Sequence, residues 1–180
     1  MNLLISDINA NLEQDLNFSQ YNNAKHDFSI KYPSSWNITE LSSKSMENLL
    51  NVEIKSEFEG PRDMIQEKFV ISINLLPDKT NFNKYVDDAL SQLNHTFKDF
   101  KLISDNFVDD DIQSRTISYS YLAGMPPIST KLVMTTEILA YADKVYVLSF
   151  GTPPNKYYDL LPVMNEIFDS FKILNRTQMI

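Results

Sequence analysis

The sequence predicts an α+β fold, a three-layer α/β/α sandwich around a central antiparallel sheet. Three observations lead to it. Alternating apolar and polar residues occur both before and after a segment with helical periodicity, a second helical segment follows near the end, and the later strands are joined by only a few residues. Short connections favour antiparallel neighbours. Two helices that are each apolar on one side can both be covered by one sheet.

The first strands are identified by their period of two. Phe28, Ile30 and Tyr32 alternate with polar residues, and Pro33 ends the run, which is typical of a half-buried strand. Extended structure is predicted on similar grounds at 36–38, 52–58 and 69–75. We also expect Trp36 to lie at least partly in a core.

A change of period marks the first helix. Apolar residues return every three or four positions from Phe82 to Phe97, and Thr80 or Asn81 can cap its start. A second helix is predicted from Tyr157 to Phe171, in which Pro162 either starts the regular part or causes a kink. Four strands joined by short turns are predicted between the helices, at 102–108, 112–122, 129–141 and 144–150.

We predict one domain at 25–175, an N-terminal appendage or linker at 1–24, and a C-terminal tail at 176–180. Within the appendage, a short helix is suggested by a spacing of four between Leu4, Ile8, Leu12 and Leu16. The polar residues 17–24 are interpreted as a linker, so 1–24 are expected to be dispensable for folding. The sequence shows no signal peptide at its start and no apolar run long enough to cross a bilayer. A removed anchor would be compatible with this pattern.

Composition excludes several functional classes. The net charge of -8 and the absence of a Lys/Arg cluster argue against nucleic acid and anionic membranes as partners. The chain has no cysteine, which removes thiolate catalysis, iron–sulfur clusters and cysteine zinc sites. Its three glycines are not spaced for a phosphate-binding loop, a dinucleotide fingerprint or a nucleophile elbow.

Two segments resemble the PsbP family. Residues from Asp27 to Trp36 match its opening pattern F-x-I-x-Y-P-x-x-W, and residues from Tyr146 to Phe171 resemble its ending, Y-x-L-x-F followed by Y, LP, I and SF. The helix from Asn81 to Phe97 lies where the family places one. The likeness covers residues 25–174.

The resemblance implies an α/β/α sandwich in a prokaryotic, or archaeal, protein of the family. It also implies a scaffold that binds proteins. PsbP is an extrinsic lumenal subunit of photosystem II that helps to retain calcium and chloride, and relatives include lipoproteins and a Ran-binding nuclear import factor. The basic N-terminal region of PsbP has no counterpart in residues 1–24, which argues against a photosystem role.

The two histidines are interpreted as solvated surface residues. A catalytic triad could combine His26 with Asp27, but adjacent strand residues point to opposite faces. His95 falls on the polar side of the first helix, with Asp88 and Gln92 at helical spacing. The sequence therefore predicts no catalytic site.

One acidic cluster is a candidate metal site. Carboxylates suit calcium or manganese, and the candidate ligands are Asp105, Asp109, Asp110 and Asp111. The EF-hand pattern fails, because Ser114 and Ser120 occupy the positions of its glycine and glutamate. A solvated hairpin turn is the favoured interpretation, since aspartate is common in turns.

Three functional hypotheses remain open. The favoured one is a non-catalytic, extracytoplasmic protein-binding or accessory module, with a protein partner of unknown identity and no cofactor. The first alternative is an accessory protein that binds calcium or manganese through the acidic cluster. The second alternative is a hydrolase with an unrecognised site.

Overall fold

A computed structural model of the chain describes residues 17–41, 48–58, 60, 65–77, 81–125 and 128–174. The strands are β1 (Phe18–Asn23), β2 (Phe28–Pro33), β3 (Asn37–Leu41), β4 (Asn48–Lys55), β5 (Lys68–Leu75), β6 (Lys98–Asp109), β7 (Gln113–Met125), β8 (Ile128–Tyr141), β9 (Lys144–Thr152) and β10 (Lys172–Ile173), and the helices are α1 (Phe82–Thr96) and α2 (Tyr157–Asp169). The predicted helix through Leu4, Ile8, Leu12 and Leu16 and the tail at 176–180 lie outside the described residues.

The sheet topology confirms the predicted α+β fold class. Seven strands form the central sheet in the order β3-β4-β5-β9-β8-β7-β6, and each neighbouring pair is antiparallel. The strands β6 to β9 form the expected meander. A smaller antiparallel sheet, β1-β2-β10, was not predicted as a separate sheet.

The central sheet is apolar on both faces, which explains the layers. On β9, Tyr146, Leu148 and Phe150 point to the face covered by α2 and the small sheet, where they share a core with Phe28 and Ile167. The alternate residues of the same strand, such as Val145, point to α1 on the other face. Side chains of this size contribute about 1.5–3 kcal/mol each when fully buried, so the two cores hold the sandwich together.

Both helices occur where the sequence predicts them. Asn81 caps α1 by accepting a hydrogen bond from the backbone N–H of Lys84 at 2.7 Å, and α1 packs on the sheet through Phe82 and Val86. Pro162 lies inside α2. Among the described residues, neither helix has the length and apolar character needed to span a bilayer.

The linker interpretation of residues 17–24 is wrong for 18–23, which form β1. This strand pairs with β2 along its whole length, from Phe18 opposite Pro33 to Asn23 opposite Phe28. The aromatic rings of Phe18 and Tyr21 pack against the core, and the Tyr21 ring lies 5.7 Å from that of Phe28. These residues are therefore a part of the folded sandwich.

Two smaller expectations have different outcomes. Trp36 is partly buried, as predicted, and its ring stacks on that of Phe150 at 6.3 Å. β4 ends at Lys55, before the predicted end at residue 58. Ser56 follows the strand and stays bonded to Glu67, through its backbone N–H to the Glu67 carbonyl oxygen at 3.0 Å and through its hydroxyl to the Glu67 carboxylate at 2.7 Å.

One buried ion pair connects the sheet to α2. The Glu67 side chain is only 2% exposed, and its carboxylate accepts hydrogen bonds from Lys156 Nζ at 3.0 Å and from Ser56 at 2.7 Å. Lys156 immediately precedes α2, and Glu67 immediately precedes β5. The pair therefore fixes the start of the helix against the sheet.

Candidate functional site

The strand β6 is one edge of the central sheet. It spans 12 residues and, among the residues that the structure describes, it hydrogen-bonds to β7 on one side only. A strand in this position presents a row of backbone N–H and C=O groups that can pair with another chain. We use the term β6 edge for the residues 102–109 and their outward-facing backbone.

The side chains of the β6 edge are unusually apolar for an exposed strand. Every residue of β6 except Phe100 is exposed. The exposed fractions are 49% for Leu102, 59% for Ile103, 43% for Phe107 and 48% for Val108. Natural proteins protect long edges of this kind, because an open apolar strand associates with other strands.

The opposite edge of the sheet is different in kind. β3 has five residues, and Asn37, Thr39 and Glu40 make it polar. Tyr21 of β1 donates a hydrogen bond to Glu40 at 2.5 Å, so the small sheet reaches this edge. Short length and polar character are the usual protections of an edge strand, whereas β6 is long and carries four exposed apolar side chains among its polar ones.

Part of β6 has the geometry needed for pairing. The register with β7 shifts between Lys98 and Lys101 and again between Leu102 and Ser104, and Asp99 has a positive φ of 55°. From Ser104 to Asp109 the register is regular. Such a segment is roughly 20 Å long, and alternate residues direct their backbone groups outward.

Arg115 of β7 organises the charges next to this segment. Its Nε and Nη2 donate to the two oxygens of Asp105 at 2.7 and 2.6 Å, and its Nη1 donates to Asp87 of α1 at 2.7 Å. These hydrogen bonds are the main reason that the pKa of Asp105 is lowered. The two ion pairs tie the helix to the edge of the sheet. No sequence pattern predicts them, because Arg115 lies 10 positions from Asp105 and 28 positions from Asp87 in the chain.

The four candidate metal ligands have separate environments. Asp105 is bonded to Arg115, and Asp109 accepts a hydrogen bond from the Gln113 side chain at 2.8 Å. Asp110 and Asp111 are exposed in the turn that follows β6. Within the described parts of the chain, no three acidic or histidine residues are grouped as a metal site requires. Calcium or manganese binding at these aspartates stays a prediction.

Calcium should act on stability as a simple salt does. Because Asp105 already has a cationic partner, millimolar calcium is expected to raise the melting temperature no more than sodium chloride of equal ionic strength. Thermal denaturation monitored by circular dichroism measures this. A larger rise with calcium, abolished by the double replacement Asp109→Asn and Asp111→Asn, would show a true site, since a ligand stabilises the fold that binds it.

Replacing Arg115 should return the pKa of Asp105 towards its ordinary value. In Arg115→Met the pKa of Asp105 is expected to rise, because the hydrogen bonds that favour the carboxylate are lost. In the native protein the lowered pKa of Asp105 stabilises the fold at pH values above the pKa of this group in the unfolded chain. The contribution is lost as the pH falls through the pKa of Asp105 in the folded protein. An NMR titration of the Asp105 carboxyl carbon measures the change. An unaltered pKa in the variant would contradict the role given to Arg115.

The two histidines differ in burial. His95 is exposed as predicted, with its ring within 2.6 Å of the Ser91 carbonyl oxygen. The interpretation of His26 as a surface residue is wrong, since it is only 6% exposed. The Tyr146 hydroxyl donates to its carbonyl oxygen at 3.1 Å from across the core. Burial lowers the pKa of His26, and Lys25 and Lys144 add to the effect.

The architecture has the fold of PsbP-like proteins. Similar solved structures include cyanobacterial PsbP (CyanoP) from Synechocystis sp. PCC 6803, with a TM-score of 0.63 and 15% identity over 88% of this chain and 93% of that one. LpqN of Mycobacterium tuberculosis has a TM-score of 0.57 and 15% identity over 92% of this chain and 96% of that one. Protein PA94 of Pseudomonas aeruginosa has a TM-score of 0.57 and 15% identity over 86% and 95%.

Sequence comparisons add nothing to this likeness. No protein-family model matches the chain, and no curated protein sequence matches it. At 15% identity the similar structures establish the fold alone. A shared fold does not determine function, which depends on the surface residues of each protein.

Proposed function

We propose that this protein is a non-catalytic accessory module that acts outside the cytoplasm and binds another protein chain at its β6 edge. The observation that carries the proposal is the contrast between the two edges of the central sheet. β6 is long and carries exposed apolar side chains, whereas β3 is short and polar.

The chemistry of the β6 edge suits an extended protein segment. Main-chain hydrogen bonds to an edge strand supply affinity, and the side chains on either side supply specificity. Phe107 faces α1, with its ring 6.2 Å from that of Phe82, while Val108 pairs with Ser114 on the opposite face. An added strand would therefore cover apolar atoms on both faces of the sheet.

The similar structures support the accessory and extracytoplasmic parts of the proposal. LpqN is described as involved in cell envelope biogenesis, and CyanoP is a cyanobacterial PsbP. The calcium or manganese alternative and the hydrolase alternative have no comparable support among the contacts of the described residues.

Site-specific photo-crosslinking tests the proposal. A photoreactive residue at Val108 should form a covalent adduct with a protein in the native host, because this side chain would be covered by the bound segment. The matched control is Tyr158 at the start of α2, a large side chain that is 80% exposed and far from β6 in the chain. An adduct at Val108 and none at Tyr158 is expected. Equal labelling at both positions, or none at Val108, would overturn the proposal.

A further inference from the structure

We infer that the chain bound at the β6 edge is a second copy of the same protein. The two β6 strands would pair antiparallel about a two-fold axis beside Asn106 and join two seven-stranded sheets into one. This inference rests on the proposed function, since it identifies the partner of the same edge. Closed two-fold pairing of identical surfaces is the commonest form of self-association.

The charges along β6 reverse from one end to the other. Lys98 and Lys101 lie at its beginning and outweigh the single Asp99 between them, and Asp109, Asp110 and Asp111 lie at its end and in the following turn. An antiparallel two-fold places the beginning of each strand against the end of the other. Each basic end then meets an acidic end, so the arrangement is complementary to itself. A parallel pairing would instead bring like charges together.

The regular part of the strand permits this pairing. With the axis beside Asn106, Ser104 of one copy lies opposite Val108 of the other, and Asp105 lies opposite Phe107. The side chains of opposed residues then point to the same face of the joined sheet, because side chains alternate between the two faces without interruption from Ser104 to Asp109. Like charges that lie directly opposite each other destabilise a strand pair, and this register opposes none.

The remaining charge at the centre is already neutralised. Asp105 is held by Arg115 through two hydrogen bonds in each copy, so the carboxylates near the axis do not face each other unpaired. The exposed apolar side chains of both strands, Leu102, Ile103, Phe107 and Val108, would lie on both faces of the joined sheets, beside the new strand pair. Each copy carries a net charge of -8, so the two copies repel each other overall and attract only at the ends of the paired strands. The fraction of dimer should therefore depend on protein concentration.

Charge-reversal variants at the two ends of β6 test whether the dimer forms in this way. Sedimentation velocity over a range of concentrations should show a monomer–dimer equilibrium for the native protein. Lys101→Asp and Asp111→Lys should each weaken the dimer, by roughly tenfold at low salt, because each brings like charges together at the facing ends of the two strands. An equimolar mixture of the two variants should regain dimers, since both contacts in the mixed pair are attractive. Lys31→Asp, an exposed residue of β2, makes the same charge change elsewhere and should leave association unchanged.

The outcomes separate this inference from the proposed function. A native protein that stays monomeric at all concentrations, or variants that dimerise as the native protein does, would overturn the inference. Crosslinking of Val108 to a different protein would also overturn it, while the proposed function would stand. Dimers of the native protein that dissociate in each single variant and re-form on mixing would support both. Thermal melts of the variants confirm that they are folded.

Discussion

Deleting residues 1–24 is expected to destabilise the protein by more than about 3 kcal/mol, because Phe18 and Tyr21 leave the core. The deletion also exposes Phe28, which is fully buried in the intact fold. The six-residue ladder between β1 and β2 would be lost as well. Urea denaturation measures the free energy of unfolding.

A deletion of residues 1–16 is the matched control, because it ends before β1 begins. The difference between the two deletions isolates the contribution of residues 17–24. If both variants unfold at the same urea concentration, β1 contributes nothing to stability. The original interpretation of residues 17–24 as a linker would then be correct.

Replacing Lys156 with Met should cost about 3–5 kcal/mol, because it leaves the Glu67 carboxylate buried without its cation. The matched control is Lys84→Met, which removes a lysine from an exposed pair with Asp88. Exposed pairs contribute about 0–1 kcal/mol, so the control should be nearly neutral. Urea denaturation of both variants provides the comparison.

Adding Glu67→Gln to Lys156→Met tests the cause. A neutral amide needs no cation and can still bond with Ser56, so the double variant should be more stable than Lys156→Met alone. A double variant that is no more stable than the single one would show that the loss comes from packing of the Lys156 side chain. The unpaired charge would then be the wrong explanation.

The sequence predicted the elements that its periodicity determines. The strand around Phe28 and the helix from Phe82 follow strict periods of two and about 3.6, and both occur as expected. β1 was missed because its apolar residues, Phe18 and Tyr21, are three positions apart and do not alternate. Its burial comes from pairing with β2. β10 has only two residues, too few to carry any period.

The candidate site was predicted only in part. The four aspartates were correctly placed in and beside a hairpin, but their partners depend on contacts between distant residues. Arg115 reaches Asp105 across β6 and β7 and reaches Asp87 on α1. His26 was misjudged for the same reason, since its carbonyl oxygen accepts a hydrogen bond from Tyr146, 120 positions away. The adjacent apolar pairs Leu102–Ile103 and Phe107–Val108 were the available signal for an exposed edge, because neighbours on a strand point to opposite faces.

Amide hydrogen exchange tests the central claim, that the β6 edge binds a protein chain, most directly. The outward-facing amides of Ser104 to Val108 should exchange quickly in dilute protein and slowly when the protein is concentrated or mixed with host extract. The amides of β3, at the other edge of the same sheet, should exchange at the same rate in all three conditions. Exchange of Ser104 to Val108 that stays fast in every condition would contradict the claim.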